Sequence, residues 1–125
     1  MSDDAARELA GQVSRIAWAI ARAEGFLVAG SRPKRNHNPG NLTQDLTGKA
    51  IGRDGLYVIY ATDEDGLEAL KKQVGLMLSG KSKVYKPTMT ILEVAERYTT
   101  TEQEDWARNV ARGLGVSIRT PLKDV

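Results

Sequence analysis

Glu24 is the residue of this chain best placed to do chemistry. Residues 4–24 carry helical apolar spacing, with Leu9, Val13, Ile16, Ala17 and Ile20 recurring at steps of three and four. One further step of four reaches Glu24, so an acid continues the apolar stripe, and Gly25 stops the helix directly behind it. A carboxyl in that position meets two effects of the same sign. Burial penalises its charged form, and so does the negative end of the helix dipole; both raise its pKa. A carboxylic acid that keeps its proton near neutrality is what general-acid catalysis requires. The same phase also allows a surface glutamate on a frayed last turn, and helical spacing alone leaves both readings open.

Other chemistries lack their residues. Cysteine is absent, so there is no thiol nucleophile, thiolate metal site or disulfide framework, and nothing marks an oxidising compartment. His37 is the single histidine, too few for a multi-histidine metal centre, and neither a metal nor a cofactor is expected. The formal charge of +2 is mild but unevenly spread. Arg32, Lys34 and Arg35 cluster after Glu24, and Lys81, Lys83 and Lys86 form a second group. Such clusters attract anions, whether nucleic acid or the acidic polymers of a cell wall, or simply solvate a loop. The first has no interleaved aromatic residue and the second only Tyr85, which weighs against a nucleic-acid partner. No apolar run approaches the roughly 18 residues of a membrane span, so no membrane partner is expected. The acidic start Met-Ser-Asp-Asp-Ala-Ala-Arg lacks the basic-then-apolar form of a secretory signal. The expectation is a protein made in the cytoplasm without a signal peptide.

The elements that must position Glu24 follow from the rest of the pattern. A chain of 125 residues suits one domain around one core, here residues 1–125 with no linker or repeat. Residues 25–42 form a loop rich in turn formers, among them Gly30, Ser31, Pro33, Asn36, Asn38, Pro39, Gly40 and Asn41. Residues 42–62 read as a hairpin or small meander whose clearest strand is 56–60, with turns at Gly48 and over residues 52–55. Thr62 opens a helix that buries Leu67, Leu70, Val74, Met77 and Leu78 and ends at Gly80. Thr90 and Glu93 form a capping box for a short helix to about Tyr98. Thr101 and Glu104 repeat that pattern before a last helix carrying Trp106, Val110 and Leu114, closed by Gly115. Residues 116–125 read as a tail, and Trp106 reads as core. Four helices with a small β element after the first make an α+β, mainly helical domain.

Glu24-Gly25, a short loop and then Asn36-His37-Asn38-Pro39-Gly40-Asn41-Leu42 resemble the core of the lysozyme-like superfamily. The likeness is nearest to small phage and prophage proteins with a lytic-transglycosylase or goose-type-lysozyme-like domain. Those show Ala-x-x-Glu-Gly, a variable loop, Asn-Asn-Pro-Gly-Asn-Leu, a strand, a threonine and a Gly-hydrophobic-x-Ala-Leu helix. Tyr60-Ala61-Thr62 and Gly66-Leu67-Glu68-Ala69-Leu70 stand at that place here. Met89-Thr90-Ile91, Trp106-Ala107-Arg108-Asn109-Val110-Ala111 and Leu114-Gly115-Val116 resemble the closing segments. The similarity spans roughly residues 15–118 in the right order. It departs at His37, which stands where the usual pair has its first asparagine.

The resemblance implies a lysozyme-like fold with a β-hairpin inserted after the catalytic helix. It also implies a muramidase or lytic transglycosylase that cuts the bond from N-acetylmuramic acid to N-acetylglucosamine in peptidoglycan. Glu24 would then protonate the glycosidic oxygen while oxocarbenium-like charge develops at the anomeric carbon. In the transglycosylase version the 6-hydroxyl of the muramic acid attacks, and no second carboxylate is needed. In an inverting version Asp45, Asp54 or Asp63 would activate water, although each also fits a turn or cap; a single-glutamate site is favoured. Asn38, Asn41, Tyr60, Thr62 and Tyr98 are the candidate substrate-binding residues. Each has a plainer structural use: a chain reversal for the asparagines, packing for the tyrosines, a helix cap for Thr62. The implied partner is the peptidoglycan glycan strand, met by a monomer at the bacterial cell wall, in a phage-encoded or virion-associated setting. Two other readings stay open: a non-catalytic peptidoglycan-binding or virion structural module on the same fold, and a basic nucleic-acid-binding domain.

Overall fold

The structure is a computed structural model that describes residues 2–125. Among these, five α-helices and one two-stranded antiparallel hairpin make a mainly helical α+β chain. Helix α1 (Asp3–Ala23) starts on Ser2, whose hydroxyl accepts from the Ala5 amide, with Asp3 and Asp4 in its first turn. Its inward face begins later than the apolar spacing predicts. Ile16, Ala17, Ala19, Ile20 and Ala21 are buried, whereas Leu9 is exposed because residues 2–10 project beyond the core.

After α1 the chain makes one helical turn that periodicity could not reveal, α2 (Arg32–Arg35). Ser31 holds it from both sides: its oxygen accepts from the Lys34 amide, and its hydroxyl donates to the Gly25 carbonyl. The hairpin pairs β1 (Gly52–Asp54) with β2 (Tyr57–Ile59) in the register Gly52↔Ile59, Arg53↔Val58, Asp54↔Tyr57. The turn expected over residues 52–55 therefore moves to Gly55 and Leu56, since Gly52, Arg53 and Asp54 find partners across the ladder. Helix α3 (Asp63–Ser79) runs from the Thr62 cap to Gly80, as the sequence predicts; Leu70, Val74 and Met77 are fully buried, Leu67 and Leu78 partly. Helix α4 (Ile91–Tyr98) has both hydrogen bonds of the Thr90–Glu93 capping box.

Helix α5 (Gln103–Leu114) does not start on Thr101. Glu102 precedes it at φ 52° and gives no side-chain cap. The Thr99 hydroxyl donates instead to the Thr101 carbonyl, and Gln103 Nε2 closes the joint by donating to the carbonyls of Glu96 and Thr99. Helix α1 packs on α3 and α5, and α5 on α4. The segment after Gly115 is a packed part of the fold and not the expected tail. Thr90 bridges Pro121, the Leu122 amide donates to the Met89 carbonyl, and Leu122 is buried. Gln12 Nε2 on α1 donates to the Lys123 and Val125 carbonyls, tying the C-terminal 3-10 turn (Leu122–Asp124) back to the first helix. No helix among the described residues is long and apolar enough to cross a membrane.

Candidate active site

Glu24 is the C-cap residue of α1, and its amide still donates to Ile20, so the helix geometry fixes where the side chain leaves the backbone. The carboxyl is half-buried between two neutral donors. Asn41 Nδ2 donates to Oε1 at 3.0 Å, and the Trp106 indole N–H donates to Oε2 at 2.7 Å. None of the ion pairs among the described residues involves Glu24. Burial raises its pKa, and the hydrogen bonds from Asn41 and Trp106 pull the other way without cancelling the rise.

This donor set bears on where a proton sits. An indole N–H can only donate, so Oε2 must be an acceptor in either charge state. Of the two oxygens, Oε1 is the one whose neighbour, the Asn41 amide, also carries an acceptor that a turned amide could offer to an acid proton. The Asn41 amide oxygen is buried and has no partner in the arrangement with Nδ2 toward Glu24. Turning the amide over would let that oxygen accept from protonated Oε1. The pair thus has one arrangement for each charge state of Glu24.

The Asn38–Asn41 turn delivers Asn41 to this place. The Asn41 amide donates to the Asn38 carbonyl at 3.0 Å, and Asn41 itself stands at φ 49°, a conformation asparagine tolerates better than most residues. Asn38 is completely buried, and its side chain is fully engaged by backbone. Its Nδ2 donates to the carbonyls of Leu42 and Val58, and its Oδ1 accepts from the Leu42 amide. Asn38 therefore staples the turn to β2, with its amide hydrogens and its oxygen already engaged by backbone.

Two glycines let the turn press onto the helices. A Cβ on Gly66 would lie 1.8 Å from the His37 carbonyl oxygen, so the first turn of α3 tolerates no side chain there. A Cβ on Gly40 would lie 2.8 Å from the Tyr98 hydroxyl, which instead donates to the Gly40 carbonyl at 2.7 Å. Tyr98 also stacks on Trp106, with ring centroids 4.9 Å apart and planes at 27°. It reaches the site as the residue that orients the indole. Its phenol is held well above the usual range, chiefly by burial and then by the Glu24 charge.

Tyr60 and Thr62 are not brought to Glu24. Tyr60 is fully buried and hydrogen bonds to Asp45 Oδ1 at 3.3 Å, so it has no ring face free for a sugar; burial and the Asp45 charge push its pKa up to about 12. The Thr62 hydroxyl caps α3 by accepting from the Asp65 amide. The candidate second acids are likewise engaged elsewhere. Asp45 accepts from the Gly48 and Ala50 amides; desolvation is the largest single effect on its pKa and would raise it, but those bonds and that of Tyr60 together outweigh it, and the net shift is downward. Asp54 accepts from Asn36 Nδ2 at 3.1 Å. Asp63 holds His37 Nδ1 at 2.7 Å and Lys34 Nζ at 3.0 Å, which overcome desolvation and lower its pKa. None of the three hydrogen bonds to Glu24.

An open groove of about 480 Å³ is lined in part by Asn41, which donates to Glu24, and by Tyr98, which stacks on Trp106. It runs between residues 42–46 and the loop 81–85, over Leu46, Leu76 and Tyr85. Trp106 is the site residue that sequence reasoning missed. Its place on an apolar stripe is real, since it is only 6% exposed, but a buried indole N–H also needs an acceptor. That requirement was the available signal; the partner, 82 residues away in sequence, was not. Comparison with family models, curated proteins and solved structures finds no match to this chain.

Proposed function

We propose that this protein is a peptidoglycan-cleaving muramidase of the lytic-transglycosylase type, with Glu24 as its single protein acid. The observation that carries the reading is the half-buried Glu24 carboxyl, raised in pKa between two neutral donors, one of which, Asn41, also lines an open groove. Protonated Oε1 gives its proton to the glycosidic oxygen as the bond to the anomeric carbon breaks. The carboxylate left behind keeps the Trp106 hydrogen bond and gains that of Asn41. Both donors favour the charged form, so they stabilise the site as charge develops rather than before. The 6-hydroxyl of the muramic acid then closes on the anomeric carbon and returns its proton to Glu24, which restores the acid. Asp45, Asp54 and Asp63 are absent from this scheme because each already has structural partners.

The order of elements supports a lysozyme-like fold: a helix ending in the acid, an asparagine turn, a hairpin, then a helix packed on the turn through Gly66. With that fold and substrate, the protein acts at the bacterial cell wall as a monomer, and a phage or prophage setting fits. The test is digestion of purified peptidoglycan followed by mass spectrometry. The expected fragments end in 1,6-anhydromuramic acid. Reducing muramic ends would instead require a water-activating carboxylate, and walls left intact would reject glycan cleavage altogether.

A further inference from the structure

We propose that Lys81, Lys83 and Arg97 recognise the carboxylates of peptide stems on the glycan, so that the groove prefers stem-bearing peptidoglycan to a bare sugar chain. This rests on the proposed glycan-cleaving function and adds a specificity to it. The three cations belong to one groove, yet they come from separate elements: Lys81 and Lys83 from the loop after α3, Arg97 from α4. No acidic residue lines that groove, and none of the three cations is in an ion pair among the described residues. Arg32, Lys34 and Lys49 each face an aspartate or glutamate within 4 Å.

The lysine loop is also built. Ser82 Oγ accepts from the amides of both Val84 and Tyr85, and Lys86 Nζ donates to the Ser82 carbonyl, which fixes a tight turn with Lys81 and Lys83 on either side of Ser82. Tyr85 is buried beneath it and feels the Arg97 charge from the facing helix. Sugar hydroxyls call for amides and flat apolar surface, which Gln44, Gln73 and Tyr85 provide. They do not call for three unpaired positive charges. The peptide carried on the lactyl group of muramic acid ends in carboxylates, and a groove lined by Asn41, the donor to Glu24, would meet those peptides near the bond being cut.

The experiment compares native protein with the triple variant Lys81→Gln, Lys83→Gln, Arg97→Gln, after equal melting temperatures show that both are folded. Substrates are stem-bearing sacculi free of teichoic acid and the same strands stripped of peptide by an amidase. The native protein is expected to have the lower KM on stem-bearing strands, with a preference that fades as salt is added. Exposed charge pairs contribute roughly 0.2–1 kcal/mol each, so losing three should raise that KM by about tenfold and bring the two substrates level. Equal KM values in the native protein, or an equal loss on both substrates in the variant, would overturn the proposal. Calorimetric titration with a soluble disaccharide-tetrapeptide, set against the peptide-free disaccharide, reads the groove without turnover. Should neither glycan be cut, the cleavage chemistry fails while this titration still decides the stem recognition. A DNA duplex that binds as tightly, and is lost in the same variant, would assign the groove to phosphate polymers and overturn it.

Discussion

Two carboxylates of this molecule are each held by two side chains, and they behave oppositely. Asp63 meets Lys34 and His37, so its charged form is matched by charge and its pKa falls. Glu24 meets only an amide and an indole, and burial wins over both, so its pKa rises. The number of hydrogen bonds is the same; the charge of the donors and the depth of the site differ. A cation beside a carboxylate makes a salt bridge, whereas neutral donors in a drier site make an acid that releases its proton only when something nearby will take it. The hairpin side of the chain is built from the first kind of arrangement and the end of α1 from the second.

The largest expected effect separates the two regions by activity. Glu24→Gln keeps the shape but has no acid proton, and general acids contribute roughly 10²–10⁴-fold, so clearing of cell-wall suspensions should fall by at least that order. Asp45→Asn, Asp54→Asn and Asp63→Asn should each retain most of the clearing rate. If one of them matched the Glu24→Gln loss, the single-acid scheme would give way to a two-acid one.

The next effect is on stability and contrasts two asparagines three positions apart. Asn38→Ala leaves the Leu42 amide without its acceptor and takes the side-chain donor from the Val58 carbonyl and from the Leu42 carbonyl, which keeps only the Val58 amide. An unmade buried hydrogen bond costs about 1–3 kcal/mol, so denaturant unfolding should show a loss of at least that size. Asn41→Gly, which suits the φ of 49°, removes one bond, to Glu24, together with an oxygen that has no partner, and should cost little stability while lowering activity. Matching stability losses would erase the distinction between staple and site.

How much of this was legible in the sequence follows the same division. Local signals carried far: the step of four from Ile20 to Glu24, the Thr62 cap, the Thr90–Glu93 box and the stops at Gly80 and Gly115 all act within a turn or two of the chain. Where the deciding contact was distant, the reading stopped. Trp106 looked like core because its stripe is apolar, and nothing near it announces Glu24. Asn38 and Asn41 belong to one turn motif, and only the arrival of β2 makes one of them structural. Residues 116–125 have no helical or strand period because their partners are scattered single groups: the Gln12 side-chain amide and the backbone of Pro87, Met89 and α4. Thr101 caps nothing because α5 starts one residue later than the Thr-x-x-Glu spacing places it, behind Glu102 at φ 52°.

A smaller effect concerns the proton. Trp106→Phe removes a donor that favours the carboxylate, so the Glu24 pKa should rise further. The alkaline limb of the pH–activity profile, which marks loss of the acid form, should then move to higher pH. A limb that stays in place would mean that the indole plays no part in the titration. Smallest of all are the melting differences, which should have opposite pH signatures in the two regions. A raised folded pKa means that Glu24 contributes stability below its unfolded pKa of about 4.3 and loses it as pH rises through the folded value. Glu24→Gln should therefore melt above the parent at pH 7, with the gap closing near pH 4. Its amide can also donate to the unpartnered Asn41 oxygen. Asp63 has a lowered folded pKa, so its contribution is present above the unfolded pKa and is lost as pH falls through the folded one. The Asp63 side chain is 37% exposed, so Asp63→Asn should cost under about 1 kcal/mol at pH 7.

The most direct measurement follows both carboxyl groups in one sample. Carbon-detected NMR of the side-chain carboxyls, titrated across the acid range, reads Glu24 and Asp63 under identical conditions. Glu24 should titrate above the ordinary 4.5 and Asp63 below the ordinary 3.8. A Glu24 midpoint at or below its ordinary value would contradict the claim that burial between Asn41 and Trp106 makes this residue the proton donor.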